Sequence, residues 1–185
     1  MTNQLWSSIR RSRTPATFAL LGAIALGYLA QFVFGESLVY YFGFYPPLMW
    51  AEPWRLITSA FIHGGIMHVM FNGYSLWVLG NLIERVIGSA RFLLVFTVSV
   101  VSGCFGVMVL SPGSLTVGAS AGIFGLFAAL FFINRGFGGN NVSLLVILGL
   151  NLAIGFVVPG IAWEAHIGGL IGGLVTTLLL RRTRR

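Results

Sequence analysis

Three sets of residues in this chain have side chains suited to bond making. Ser120 sits in Gly118-Ala119-Ser120-Ala121-Gly122, His166 in Trp163-Glu164-Ala165-His166-Ile167-Gly168-Gly169, and His63, His68 and Asn72 in HGGIMHVMFN, residues 63–72. A serine becomes a nucleophile when a base takes its proton, and histidine is the usual base. The GxSxG string is the nucleophile-elbow pattern of α/β-hydrolases, but that fold needs a strand before the serine, a large sheet and an acidic partner. The chain has no Asp at all. Taken alone, the string fits a tight helix contact equally well.

A metal is the competing use for three histidines. His63 and His68 are five apart, so they diverge by about 140° on an ideal helix, whereas His68 and Asn72, four apart, share a face. His63 then belongs to the loop or first turn. HExxH is absent, and no carboxylate or thiolate stands near to complete a coordination sphere. We expect no metal and no cofactor.

The elements that would carry these residues follow from composition. The chain has 185 residues, of which 57% are hydrophobic and 8% charged, with net charge +7. That balance cannot cover a water-facing surface and places the chain in lipid. All eleven cations are arginines, and they cluster toward the ends (Arg10, Arg11, Arg13; Arg181, Arg182, Arg184, Arg185), which fits anionic headgroups rather than nucleic acid. The one cysteine, Cys104, lies in an apolar run and reads as a small buried hydrophobe.

Apolar stretches predict spans near 16–34, 65–83, 91–110, 119–134, 142–158 and 164–180, giving one membrane domain over 16–180 between basic tails at 1–15 and 181–185. The N-terminus has the basic-then-apolar order of a signal peptide but no convincing cleavage site, so it reads as a retained span. Six spans put both ends on one side, together with Arg85, Arg91 and Arg135, leaving only Arg55 opposite; both termini are therefore expected in the cytoplasm. The first outer loop, with Tyr40, Tyr41, Trp50 and Trp54 among its aromatics and Pro46, Pro47 and Pro53, suits a segment lying in the interface.

Within this frame the polar residues gain positions. The fourth span has about 16 residues, roughly 24 Å at the helical rise, shorter than the hydrocarbon layer. Ser120 would sit at its sunken outer end, where unpaired N–H groups and the helix dipole favour negative charge. His166 opens the sixth span at similar depth, and Gly169 and Gly173 lie on its face, permitting a neighbouring helix to come close. Were that neighbour the fourth span, Ser120 and His166 would meet. Phe124, four residues after Ser120, would lie against the imidazole and orient it. Glu164 turns away from His166, so the expectation is a dyad without a carboxylate.

In this combination the chain resembles the rhomboid family of intramembrane serine proteases. The resemblance spans nearly the whole chain: Trp54-Arg55, the His63/His68/Asn72 spacing, Glu84 with Gly88, Gly118-x-Ser120, and Ala165-His166 followed by Gly169 and Gly173. It implies an all-α polytopic membrane protein, a six-transmembrane-helix bundle with an interfacial first outer loop, in a prokaryotic cell membrane with its site open to the outside. It further implies a Ser120–His166 dyad, an oxyanion hole of His68, Asn72 and the Ser120 N–H, Gly118 in the adjoining loop, and His63 holding the site. Transmembrane segments of membrane-anchored proteins would be the substrates, entering past the fifth span, with membrane lipids as the other partners and no nucleic acid. A non-catalytic relative that binds and hands over membrane clients is the alternative. The chain departs from the family pattern at Ala121 (often Gly), Phe124 (often Tyr) and Val86 (often Arg). The sequence leaves the client and the oligomeric state open.

Overall fold

A computed structural model describes residues 13–136 and 138–182. Arg10 and Arg11 of the N-terminal basic tail, and residues 183–185 of the C-terminal one, lie outside the described residues. The helices, in order, are α1 (Pro15–Phe34), α2 (Ser37–Phe42), α3 (Arg55–Thr58), α4 (Ile66–Ile87), α5 (Ser89–Leu110), α6 (Ser120–Gly136), α7 (Val142–Val157) and α8 (Trp163–Arg182), with single 3₁₀ turns at Pro46–Leu48 and Ser59–Phe61. By length and composition α1, α5 and α8 could each cross a membrane, while α6 and α7 are shorter apolar helices.

The helix ends have local causes. Pro15 opens α1, where its missing N–H costs nothing. One residue, Gly88 at φ +82°, separates α4 from α5 and donates its N–H to the Glu84 carbonyl at 2.8 Å. The α4 helix runs to Ile87, beyond the span end expected at residue 83, because Glu84 is not a solvated stop signal. It is buried, and its carboxylate accepts from Ala16 N–H (2.9 Å), Thr17 N–H and hydroxyl (both 2.7 Å) and Ser89 hydroxyl (2.7 Å). A carboxylate there caps the positive end of α1 and ties together three helices.

The main core joins Ile24 of α1, Leu76, Leu79 and Ile83 of α4, Phe92, Phe96 and Val100 of α5, and Ile123 and Leu126 of α6. A second cluster joins Phe44 and Met49 of the first loop to Cys104, Val107, Ala121 and Ala165. Helix α8 fits between two neighbours through paired glycines. A Cβ at Gly168 or Gly172 would fall 2.4 Å from Ser102 on α5, and one at Gly169 or Gly173 would fall 2.2 Å from the Ala121 carbonyl or 2.3 Å from Gly125 Cα on α6. Close packing of this kind lets the starts of α6 and α8 lie side by side. Helix α7 is peripheral, with Gly155 its one buried residue. Large apolar side chains such as Phe32, Phe71, Leu150 and Leu179 face outward, the reverse of a water-soluble surface.

Candidate active site

The glycine contacts between α6 and α8 set the distance between their first turns. Ser120 Oγ stands 3.0 Å from His166 Nε2. The Phe124 ring, one turn along α6, stacks on the imidazole with centroids 4.2 Å apart and planes 11° from parallel, which fixes the ring's tilt toward the serine. His166 is buried, and its Nδ1 has no hydrogen-bond partner among the described residues. Glu164 accepts a hydrogen bond from the Ser111 hydroxyl instead. The methyl of Ala121 occupies space that Gly103 of α5 leaves open: a Cβ on Gly103 would come within 2.5 Å of it.

Helix α4 supplies the second wall. Gly118 adopts φ +113°, and a Cβ there would fall 2.6 Å from His68 Nε2 and 3.6 Å from Asn72 Nδ2. The His68 ring therefore lies directly against the loop that leads into Ser120. Its Nδ1 accepts from Gly64 N–H at 3.3 Å, so in the neutral ring the proton resides on Nε2, the nitrogen facing Gly118. Asn72 donates one Nδ2 proton to the His68 carbonyl at 3.0 Å and retains a second. At the start of α6 the first helical bond runs from Ile123 N–H to the Ala119 carbonyl, and the preceding N–H groups have no intrahelical acceptor. His68 and Asn72 of α4 thus lie against the loop that leads into Ser120, whose helix start has N–H groups without an intrahelical acceptor, an arrangement suited to charge developing on a carbonyl oxygen.

His63 lies in the loop before α4, its ring edge-on to His68 with centroids 5.0 Å apart. Burial, and after it the neighbouring His68, hold its pKa well below the ordinary value, at about 4, with the Phe61 backbone opposing. The ring is neutral at physiological pH.

Several supports carry no motif in the sequence. Gln31, a polar residue in the apolar α1, donates to the His63 carbonyl and accepts from the His63 N–H, both at 2.8 Å. The signal for it in the sequence is an amide inside an apolar span. Phe44 and Thr116 exchange two backbone hydrogen bonds of 2.8 Å, and Gly118 N–H donates to the Ser59 carbonyl at 2.8 Å, so the first loop braces the Ser120 loop at two points. Arg55 is buried beneath that loop, paired with Glu52 and donating to the carbonyls of Tyr40 (2.6 Å) and Gly43 (2.7 Å). No group of three or more potential metal ligands occurs among the described residues.

Residues 51–183 match the Rhomboid domain. Over 134 residues the chain is 40% identical to rhomboid protease GluP of Bacillus subtilis (strain 168), an alignment covering 70% of this chain and 26% of that protein. It is 36% identical to YdcA of the same organism, over 69% of this chain and 67% of that one. RHOMBOID-like protein 4 of Arabidopsis thaliana is 33% identical over 70% of this chain and 34% of its own length. The chain thus spans about a quarter of GluP, two thirds of YdcA and a third of the plant protein. With the family domain matched across most of its length and apolar helices facing outward, this chain is an integral, multi-pass membrane protein that belongs to the rhomboid family.

Proposed function

We propose that the chain is a serine endopeptidase that cuts transmembrane segments of membrane-anchored proteins, with Ser120 as nucleophile and His166 as general base. The observation that carries this reading is the 3.0 Å approach of Ser120 Oγ to His166 Nε2, with the donors of α4 beside it. His166 Nε2 takes the hydroxyl proton as Ser120 Oγ bonds to the scissile carbonyl carbon. The carbonyl electron pair moves onto oxygen, where the Ser120 N–H, His68 Nε2–H and the free Asn72 N–H receive it. As the C–N bond breaks, His166 passes its proton to the leaving amine. Water then attacks the acyl-enzyme with the same base assisting.

We read the six long helices as six crossings. Arg85, Arg91, Arg135 and Arg181 lie at one end of the bundle, favouring cytoplasmic termini and a site toward the outer face of a prokaryotic membrane. Helix α6 has 17 residues, about 26 Å of rise, so its serine end lies below the surface when the opposite end is anchored. Hydrolysis needs water, and the polar cluster lines a hydrated cavity rather than facing lipid.

The test is cleavage of a single-span substrate by purified, reconstituted protein. Ser120→Ala and His166→Ala are each expected to lower the rate by at least about 10³-fold. Undiminished cleavage in either variant overturns the dyad. Client retention without cleavage by the unaltered protein favours the non-catalytic, client-binding reading.

A further inference from the structure

At the end of the bundle opposite Ser120, the last turns of α4, α6 and α8 and the first turns of α5 enclose a cleft of about 190 Å³. Its walls include Val95, Ala129, Phe132 and Ile133, and two cations, Arg91 and Arg181, belong to its lining. The Arg181 guanidinium carbon lies 5.5 Å from the Phe132 ring centroid, which holds that charge over the apolar slot. Thr177, also in the lining, uses its hydroxyl on the Gly173 carbonyl at 2.7 Å.

Among the described residues no glutamate neutralises these two arginines. Glu52 pairs with Arg55, Glu84 binds Ala16, Thr17 and Ser89, Glu164 binds Ser111, and Glu36 stands before α2 at the far end of α1. Among the described residues the cleft therefore combines an apolar interior and a doubly cationic rim with no counter-charge. A helical peptide about 10 Å across does not enter a space of this size, and free phosphate would make no use of its walls. We propose that the cleft binds one anionic phospholipid, with the phosphate between Arg91 and Arg181 and one acyl chain along Val95, Ala129 and Ile133. Such a lipid would touch all four helices at this end of the bundle. It is independent of the chemistry at Ser120.

Native mass spectrometry of the detergent-solubilised protein, titrated with phosphatidylglycerol or with phosphatidylcholine of the same chains, reads this directly. Two arginines at a lipid surface give an expected preference of about 30-fold for the anionic lipid. One bound phosphatidylglycerol per chain is expected at saturation. Arg91→Gln with Arg181→Gln should abolish the preference, and Ile133→Trp, which fills the slot, should weaken both lipids. Inorganic phosphate in excess should fail to displace the lipid. Equal retention of both lipids by the unaltered protein, a preference surviving in the double variant, or complete displacement by phosphate would each overturn the site.

Discussion

Gly118→Ala separates the work of the α4 wall from the stability of the fold. Two effects are built into the position. At φ +113° an L-residue is strained, at a cost of about 1–2 kcal/mol. The new Cβ would also lie 2.6 Å from His68 Nε2 and 2.7 Å from Cε1. Those atoms are the far end of a side chain, so the ring, not the backbone, is displaced. The result is a modest loss of stability and the loss of an oxyanion donor, which typically lowers kcat by about 10²–10³-fold, or 2.7–4 kcal/mol. The assay is steady-state cleavage of a reconstituted substrate, with Gly113→Ala as control, since a Cβ there meets nothing within 4 Å. KM should change little. Because the damage runs through His68, Gly118→Ala should cost far less in a His68→Ala background than alone. Full kcat in Gly118→Ala, or equal losses in both backgrounds, would show that His68 is not an oxyanion donor displaced by the new Cβ.

Other perturbations read other parts of the molecule. Glu84→Gln keeps one acceptor oxygen but loses the charge that caps α1, and should lower stability by about 2–4 kcal/mol in mixed-micelle unfolding while leaving Ser120 reactive at low temperature. Gly169→Ala places a Cβ 2.2 Å from the Ala121 carbonyl, backbone that cannot turn aside; α8 should move off α6, with a loss of about 1–3 kcal/mol and of serine reactivity, whereas Gly149→Ala, with open space around it, should be neutral. His63 supplies a pH dependence. The unfolded chain protonates it below about 6.5, the folded protein only below about 4. Its contribution is therefore complete above pH 6.5 and falls as pH drops toward 4, by up to about 3 kcal/mol. A His63→Gln protein should lose that slope in unfolding titrations across the same range; an unchanged slope would assign it to another group.

The sequence made some parts of the molecule readable and hid others for physical reasons. Uninterrupted apolar runs located the long helices among the described residues, three of them long and apolar enough to cross a membrane, because a helix in lipid must satisfy its own backbone and shows this as length and hydropathy. The end of α4 was misplaced because Glu84 reads as a polar boundary until the α1 N-terminus, 68 residues away, is seen to bind it. The stripe of Gly169 and Gly173 was legible as a close-packing face, but its partner could be chosen only in three dimensions. The bracing of the Ser120 loop by Phe44–Thr116 and Ser59–Gly118 uses backbone groups that carry no residue signature. Gln31 had a signature, an amide in an apolar helix, yet its partner is the backbone of His63, which no spacing rule connects to it.

Whether Ser120 and His166 act as a dyad is read most simply from the site of covalent capture by a fluorophosphonate. One adduct per chain is expected, mapped by peptide mass to Ser120, formed by the unaltered protein and lost in His166→Ala. Labelling that falls elsewhere, or that persists at Ser120 with undiminished rate when His166 is replaced, would contradict it.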